Sequence, residues 1–381
     1  MAVKEKKKIP WGTFLMTAVM MLIGAGCGVF MARYVDVSAA LGKDTGKRLI
    51  MLGLLLIGMY AFVFVQLVIH EAGHLVFGLL TGYRFSSFRI GSLMWVREGE
   101  RVRFKRLSIA GTGGQCLMEP PAYDEGKFPF VLYNLGGSLM NIASGLLFLL
   151  LYSLEGGETF LGVLLLIAGE LGFVMAAMNG IPMRMGMVDN DGYNALSLGK
   201  NDAARRAFWI QMKINEQTTL GVRLKDMPEE WFAWPEDEDL KNSMIASIAV
   251  YHCNRLVDDH RFAEAEEQMA GLLAAKTGVV GLYKNLMLCD RIYIELLGEN
   301  RSDVLAEMRT KELERFMKSM RSFPSVLRTQ YAYALLAQGD SGKAWKYKAR
   351  FEKAARTYPY PSDILSEREL MALAEEKGRA A

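Results

Sequence analysis

Four apolar runs, Trp11 to Ala32, Leu49 to Leu80, Val131 to Tyr152 and Phe160 to Met178, constrain this chain more than any other feature. Each is long enough to cross a bilayer as a helix, which takes about 20 residues. In hydrocarbon only a helix or a closed barrel satisfies its own backbone polar groups. The runs crowd into the first half of the 381 residues, and the second half is charged and soluble in character. The pattern predicts a mainly α fold: a polytopic bundle of about four membrane helices with a small β-hairpin or sheet, followed by an all-α, repeat-like soluble domain. The divisions fall at 1–192 for the membrane-embedded part, 193–239 for a juxtamembrane helix and linker, and 240–381 for the helical domain.

The first run follows Lys4, Lys6, Lys7 and Lys8, and the small residues Ser38, Ala39 and Ala40 beyond it resemble a cleavage site. Its apolar core exceeds the 7 to 15 residues or so of a signal peptide, so it reads as a retained helix. Arg84 to Arg106 also carries Arg89, Arg97, Arg101, Arg103 and Lys105, whereas the connector between the third and fourth runs has Glu155 and Glu158 and no cation. The positive-inside tendency then places both termini and the Arg84 to Arg106 stretch in the cytosol, in a multi-pass protein of the cell membrane. Lys43, Lys47 and Arg48 after the first run weaken this asymmetry without reversing it. Cys27, Cys116, Cys253 and Cys289 have no CxxC spacing, so neither a disulfide framework nor a cysteine metal site is implied. A formal net charge of +3 gives no footprint for nucleic acid.

Late in the second run stand His70, Glu71, Ala72, Gly73 and His74, an HExxH motif. On a helix the two histidines lie one turn apart on one face, where both imidazoles can bind one Zn²⁺, and Glu71 can act as general base toward its water. Only four histidines occur in the chain, and ionisable groups within membrane helices are costly enough to be read as functional. A catalytic zinc takes three protein ligands. His252 and His260 lie in the soluble half, so a carboxylate is the better third candidate. The segment from Asn179 to Gly192, just past the fourth run, supplies Asp189 and Asp191 on a turn. Both halves of such a site fall toward the cytosolic side.

These residues resemble the site-2 protease family of intramembrane zinc metalloproteases, which pairs HExxH in one membrane helix with a later NxxP segment ending in Asp-Gly. Asn179 with Pro182 matches the former element of that segment, and Asp191 with Gly192 the latter. The stretch from Pro182 to Asp191 is a few residues longer than the family spacing, which leaves the third ligand open between Asp191 and Asp189. Gly192 favours Asp191. Gly136, Gly137, Ser138, Leu139, Met140 and Asn141 resemble a glycine-rich segment with asparagine found near the family's active site, with Gly137 where proline is frequent. There Asn141 would contact substrate or the tetrahedral oxyanion, although the glycines equally serve close helix packing. Gln66, one turn before His70, would orient a ligand, and Glu170 should point into the bundle.

Phe85 to Ile90, Leu93 to Val96 and Val102 to Leu107, broken by Gly91 and Gly99 and followed by Gly111, Gly113 and Gly114, read as two or three strands. They resemble the membrane-associated β-hairpin of site-2 proteases, to which an unwound substrate could add by backbone pairing. Asn194 to Leu220 reads as one helix at the membrane surface, with Arg205, Arg206 and Lys213 for lipid head groups. Pro228, Pro235 and the acidic run Glu236 to Asp239 mark a linker. From Leu240 to Glu376, helix pairs around Asp258–Asp259 and around Gly339–Asp340 resemble degenerate tetratricopeptide repeats, a partner-binding scaffold or a stabilising bundle. The resemblance implies a zinc metalloendopeptidase cutting a membrane protein or leftover signal peptide in or near its membrane segment. The alternative is a membrane-anchored scaffold with a structural or lost metal site, whose helical domain recruits protein partners.

Overall fold

The computed structural model describes Ala25, Val29 and residues 45–109, 112–124, 127–156, 159–184 and 188–380. The run from Trp11 to Ala32 lies outside the described residues apart from Ala25 and Val29. Among the described residues there are thirteen α-helices and one four-stranded antiparallel sheet. Three helices are long and apolar enough to cross a membrane: α1 (Thr45–Leu80), α2 (Val131–Glu155) and α3 (Phe160–Gly180). They begin where the apolar runs begin, except that α1 starts four residues early, at Thr45.

The packing of α2 inverts that of a water-soluble helix, which hides its apolar stripe, whereas α1 and α3 also bury Leu55, Val163 and Ile167 against one another. On α2 the buried residues are Tyr133, Asn134, Gly136, Gly137, Ser138, Asn141 and Gly145. Its leucines face outward, Leu146 57 %, Leu150 55 % and Leu154 74 % exposed. The outer face of α1 likewise presents Ile57, Tyr60 and Phe64. Small and polar residues inside with large apolar residues outside is the arrangement expected when the surrounding solvent is lipid.

The chain divides, among the described residues, into two compact units bounded Met1–Val76, Leu132–Met185 and Asp189–Ala195 for one and Phe77–Val131, Gly186–Val188 and Leu196–Ala381 for the other. The first holds most of the three long helices. The second holds the sheet as well as the C-terminal helices, so packing groups the β segment with the helical half.

Strand order is β3-β2-β1-β4, from β1 (Arg84–Ile90), β2 (Leu93–Glu98), β3 (Arg101–Arg106) and β4 (Gly114–Glu119). Gly91 and Gly99 take positive φ (58° and 63°) in the two tight turns. The fourth strand exceeds the two or three expected because its glycine-rich approach reads as loop. Yet Cys116 and Met118 alternate inward in the strand manner, pairing with β1 across a bulge at Phe85/Ser87. Met94, Val96 and Leu107 enter one apolar core with residues of the C-terminal helices.

The single helix expected from Asn194 to Leu220 is two, α4 (Asp191–Lys200) and α5 (Asp202–Thr219). Asn201 breaks it: its backbone is extended and its side chain accepts from the Ala204 N–H, capping α5. Short 3₁₀ turns occupy the linker, and α6 (Ser243–Asp258) and α7 (Phe262–Ala274) form the first helix pair. Then follow α8 (Gly281–Leu297), α9 (Ser302–Met308), α10 (Lys311–Ser319), α11 (Pro324–Ala332), α12 (Ser341–Ala355) and α13 (Pro361–Ala380). A π-helical stretch, Tyr333–Ala337, ends α11 before the turn at Gly339, and Asp340 caps α12 through the Lys343 N–H.

The buried guanidinium of Arg328, 1 % exposed, bonds to Asp290 and to Glu367 (2.9 Å) and stacks over the Tyr293 ring. Burial pushes the Asp290 and Glu367 carboxyls up, and the Arg328 charge opposes that rise. Arg328→Ala should therefore cost about 3–5 kcal/mol near neutral pH, read as a lowered Tm. Carboxyls whose folded pKa is raised lose stability as pH rises through that pKa, so the loss should shrink as pH falls and both become neutral.

Candidate metal centre

His70 and His74 project from one face of α1, both buried. Asp191 is the first residue of α4, where the helix N-terminus favours a carboxylate. The structure brings these three together: Asp191 Oδ2 lies 3.0 Å from His70 Nε2 and 3.4 Å from His74 Nε2, and the two Nε2 atoms lie 3.3 Å apart. Among the described residues, they form the one group of three or more His, Cys, Asp or Glu donors placed to hold a metal ion. Glu71 is buried beside them on the same helix.

The protonation of the imidazoles follows from their far sides. His74 Nδ1 lies 2.7 Å from the Tyr133 carbonyl oxygen, which can only accept, so Nδ1 carries the hydrogen. His70 Nδ1 lies 2.8 Å from Asn141 Oδ1. That amide is oriented by its other end, because Nδ2 donates to the Gln66 backbone carbonyl (2.9 Å) and to Gln66 Oε1 (2.8 Å). His70 Nδ1 therefore also donates, and each imidazole, when neutral, presents its Nε2 lone pair toward Asp191. One proton among three such donors satisfies a single pair and strands the third. A cation satisfies all three, and ligands about 2.0–2.1 Å from a tetrahedral zinc lie about 3.3 Å from one another. The donor set fits a metal.

Three glycines make the arrangement sterically possible. A Cβ on Gly137 would stand 2.5–2.7 Å from the His70 ring, and one on Gly73 would strike the α2 backbone at Gly136 and Gly137. Gly192 is required in the same way, since a Cβ there would collide with the Gly180 carbonyl.

Gln66, fully buried, extends the support: its Nε2 donates to the Ala168 carbonyl on α3 (3.0 Å), and its Oε1 accepts from Ser144 Oγ on α2 (2.9 Å). Asn141 is thus engaged at both ends within the protein. Asp189 lies apart from the cluster, its Oδ1 3.5 Å from Arg184 Nε across an isolated β-bridge. Glu170 is half-buried on α3.

Sequence reasoning missed two supports. The Tyr133 carbonyl is a backbone group and carries no side-chain signal. Asn190 could have been found as a helix cap. Its Oδ1 accepts from the Met183 and Tyr193 N–H groups, and its Nδ2 donates to the Met178 and Ile181 carbonyls, which pins the start of α4 to the end of α3. No family model, curated protein or solved structure matches the chain.

Asn141→Ala should weaken Zn²⁺ binding by about 10–100-fold in chelator competition, as loss of a ligand's orienting partner does elsewhere. Asp191→Ala should abolish stoichiometric binding in the same assay and Asp189→Ala should leave it intact; the reverse pattern would reassign the third ligand.

Proposed function

We propose that this chain is an intramembrane zinc metalloendopeptidase of the site-2 type, multi-pass in the cell membrane with both termini in the cytosol. The observation that carries the reading is the convergence of His70 Nε2, His74 Nε2 and Asp191 Oδ2 within 3.4 Å, beside a buried Glu71 on a helix apolar enough to cross a bilayer. A set of three protein donors is the pattern of catalytic rather than structural zinc, which takes four.

His70, His74 and Asp191 would hold the ion, which supplies Lewis acidity that acidifies water and polarises a peptide carbonyl. Glu71 takes the proton from the attacking water as the new C–O bond forms, and passes it to the leaving nitrogen as the C–N bond breaks. Asn141 is a positioning residue in this scheme: both its amide donations go to Gln66, and its oxygen holds His70 in the tautomer that exposes Nε2. Tyr133 does the same for His74 through its carbonyl.

The outward leucines of α2 support the bilayer as the solvent of this unit, and a membrane protein or signal peptide as its substrate. Membrane-buried helices keep their scissile carbonyls bonded, so the substrate must unwind locally before Glu71 can act.

Purified Glu71→Gln should retain zinc and lose cleavage of a model single-pass substrate in proteoliposomes by about 10²–10⁴-fold, the worth of a general base. Full activity in that variant, or no zinc in the wild-type protein, would sink the assignment.

A further inference from the structure

In the helical half, α10, α11 and α12 enclose a cleft of about 420 Å³. Arg315, Lys318, Arg321 and Arg350 stand around it, all exposed. Among the described residues none of the four lies in an ion pair with a carboxylate, whereas Arg223, Arg291, Arg309 and Arg328 of the same half are each paired. The one acid at the cleft, Glu314, is already held by Arg309. Four like charges around one depression repel one another and concentrate a positive potential there, although the whole chain carries only +3.

The floor is of a different character. Val326 and Leu327 lie buried beneath the cleft, each 1 % exposed, and the half-buried Tyr347 ring forms its apolar wall. Gln330 places its Nε2 3.3 Å from the Met317 sulfur, a weak acceptor that a peptide carbonyl would readily replace. A simple anion such as phosphate would use the cations and leave the Tyr347 ring wet. The volume lies in the range of ligand sites and is too small for a nucleic-acid duplex.

We infer that this cleft binds an acidic, partly apolar peptide segment of another protein. Its carboxylates meet Arg315, Lys318, Arg321 and Arg350, and its apolar side chain packs against the half-buried Tyr347 ring. Carboxylate pairing with arginine is charge-assisted and bidentate, which selects acidic over neutral segments of the same shape. The inference is independent of proteolysis.

The test is fluorescence anisotropy of a labelled Glu-Leu-Glu-Leu-Glu peptide with the full chain in detergent, in the Glu71→Gln background so that no peptide is consumed. Binding should weaken with salt, fall about tenfold or more for the Gln-Leu-Gln-Leu-Gln peptide, and fall at least as far in Arg315→Glu/Lys318→Glu. Unchanged zinc content and Tm certify that variant as folded; if it does not fold, Arg315→Gln/Lys318→Gln serves, with the same fall expected. Equal affinity for the neutral peptide, or no effect of a folded double variant, overturns the inference. So does tighter binding of an oligothymidylate or of phosphatidylserine vesicles that depends on the same residues, which would give the cleft to another polyanion.

Discussion

The backbone of α2 approaches α1 so closely at Gly73 that no side chain fits between them, and everything at the candidate metal centre follows from that approach. It sets the His70 ring against Gly137, where any larger residue would displace it. It also brings Asn141 and the Tyr133 carbonyl within hydrogen-bond reach of the two Nδ1 atoms. A looser crossing would leave the imidazoles free to rotate, and a metal would have to order them on binding. Here the ordering is built in before any ligand arrives.

That rigidity has a further requirement in an apolar surround. A polar group buried between these apolar helices is costly without a partner inside the protein, and of those near the site only the Ser138 hydroxyl on α2 lacks one among the described residues. The chain His70, Asn141, Gln66, Ala168 meets the requirement across α1, α2 and α3, each link donating to the next acceptor. Asn190 solves the same problem at the end of α3 with four hydrogen bonds from one side chain. The helical half handles buried charge differently, setting one guanidinium, Arg328, between two carboxylates and over an aromatic ring.

Much of this can be read from residues alone. The apolar lengths locate α1, α2 and α3, and HExxH spacing by itself puts two imidazoles on one helical face. The choice between Asp189 and Asp191 cannot be read that way. It depends on where α4 begins, and Asn190, as its cap, makes Asp191 the first helical residue and directs Asp189 toward Arg184. β4 is obscured because glycine weakens the strand signal while tertiary pairing with β1 supplies what propensity lacks. The break at Asn201 is hidden for the opposite reason: apolar periodicity runs through it, and a single capping hydrogen bond decides it.

The role of Asn141 shows how far geometry can refine a chemical expectation. An asparagine beside a zinc site is chemically able to stabilise an oxyanion, and residue type alone cannot distinguish that from holding a ligand. Its hydrogen-bond partners can. An amide has two hydrogens to give; both go to Gln66, and the oxygen that remains faces an imidazole N–H. For Asn141 to reach a substrate it would have to abandon a fully buried glutamine whose other contacts tie α2 to α3. The cost of stranding those groups in an apolar interior is about 1–3 kcal/mol each. In the proposed reaction oxyanion stabilisation would therefore come from outside this network, and Asn141 would serve to hold His70.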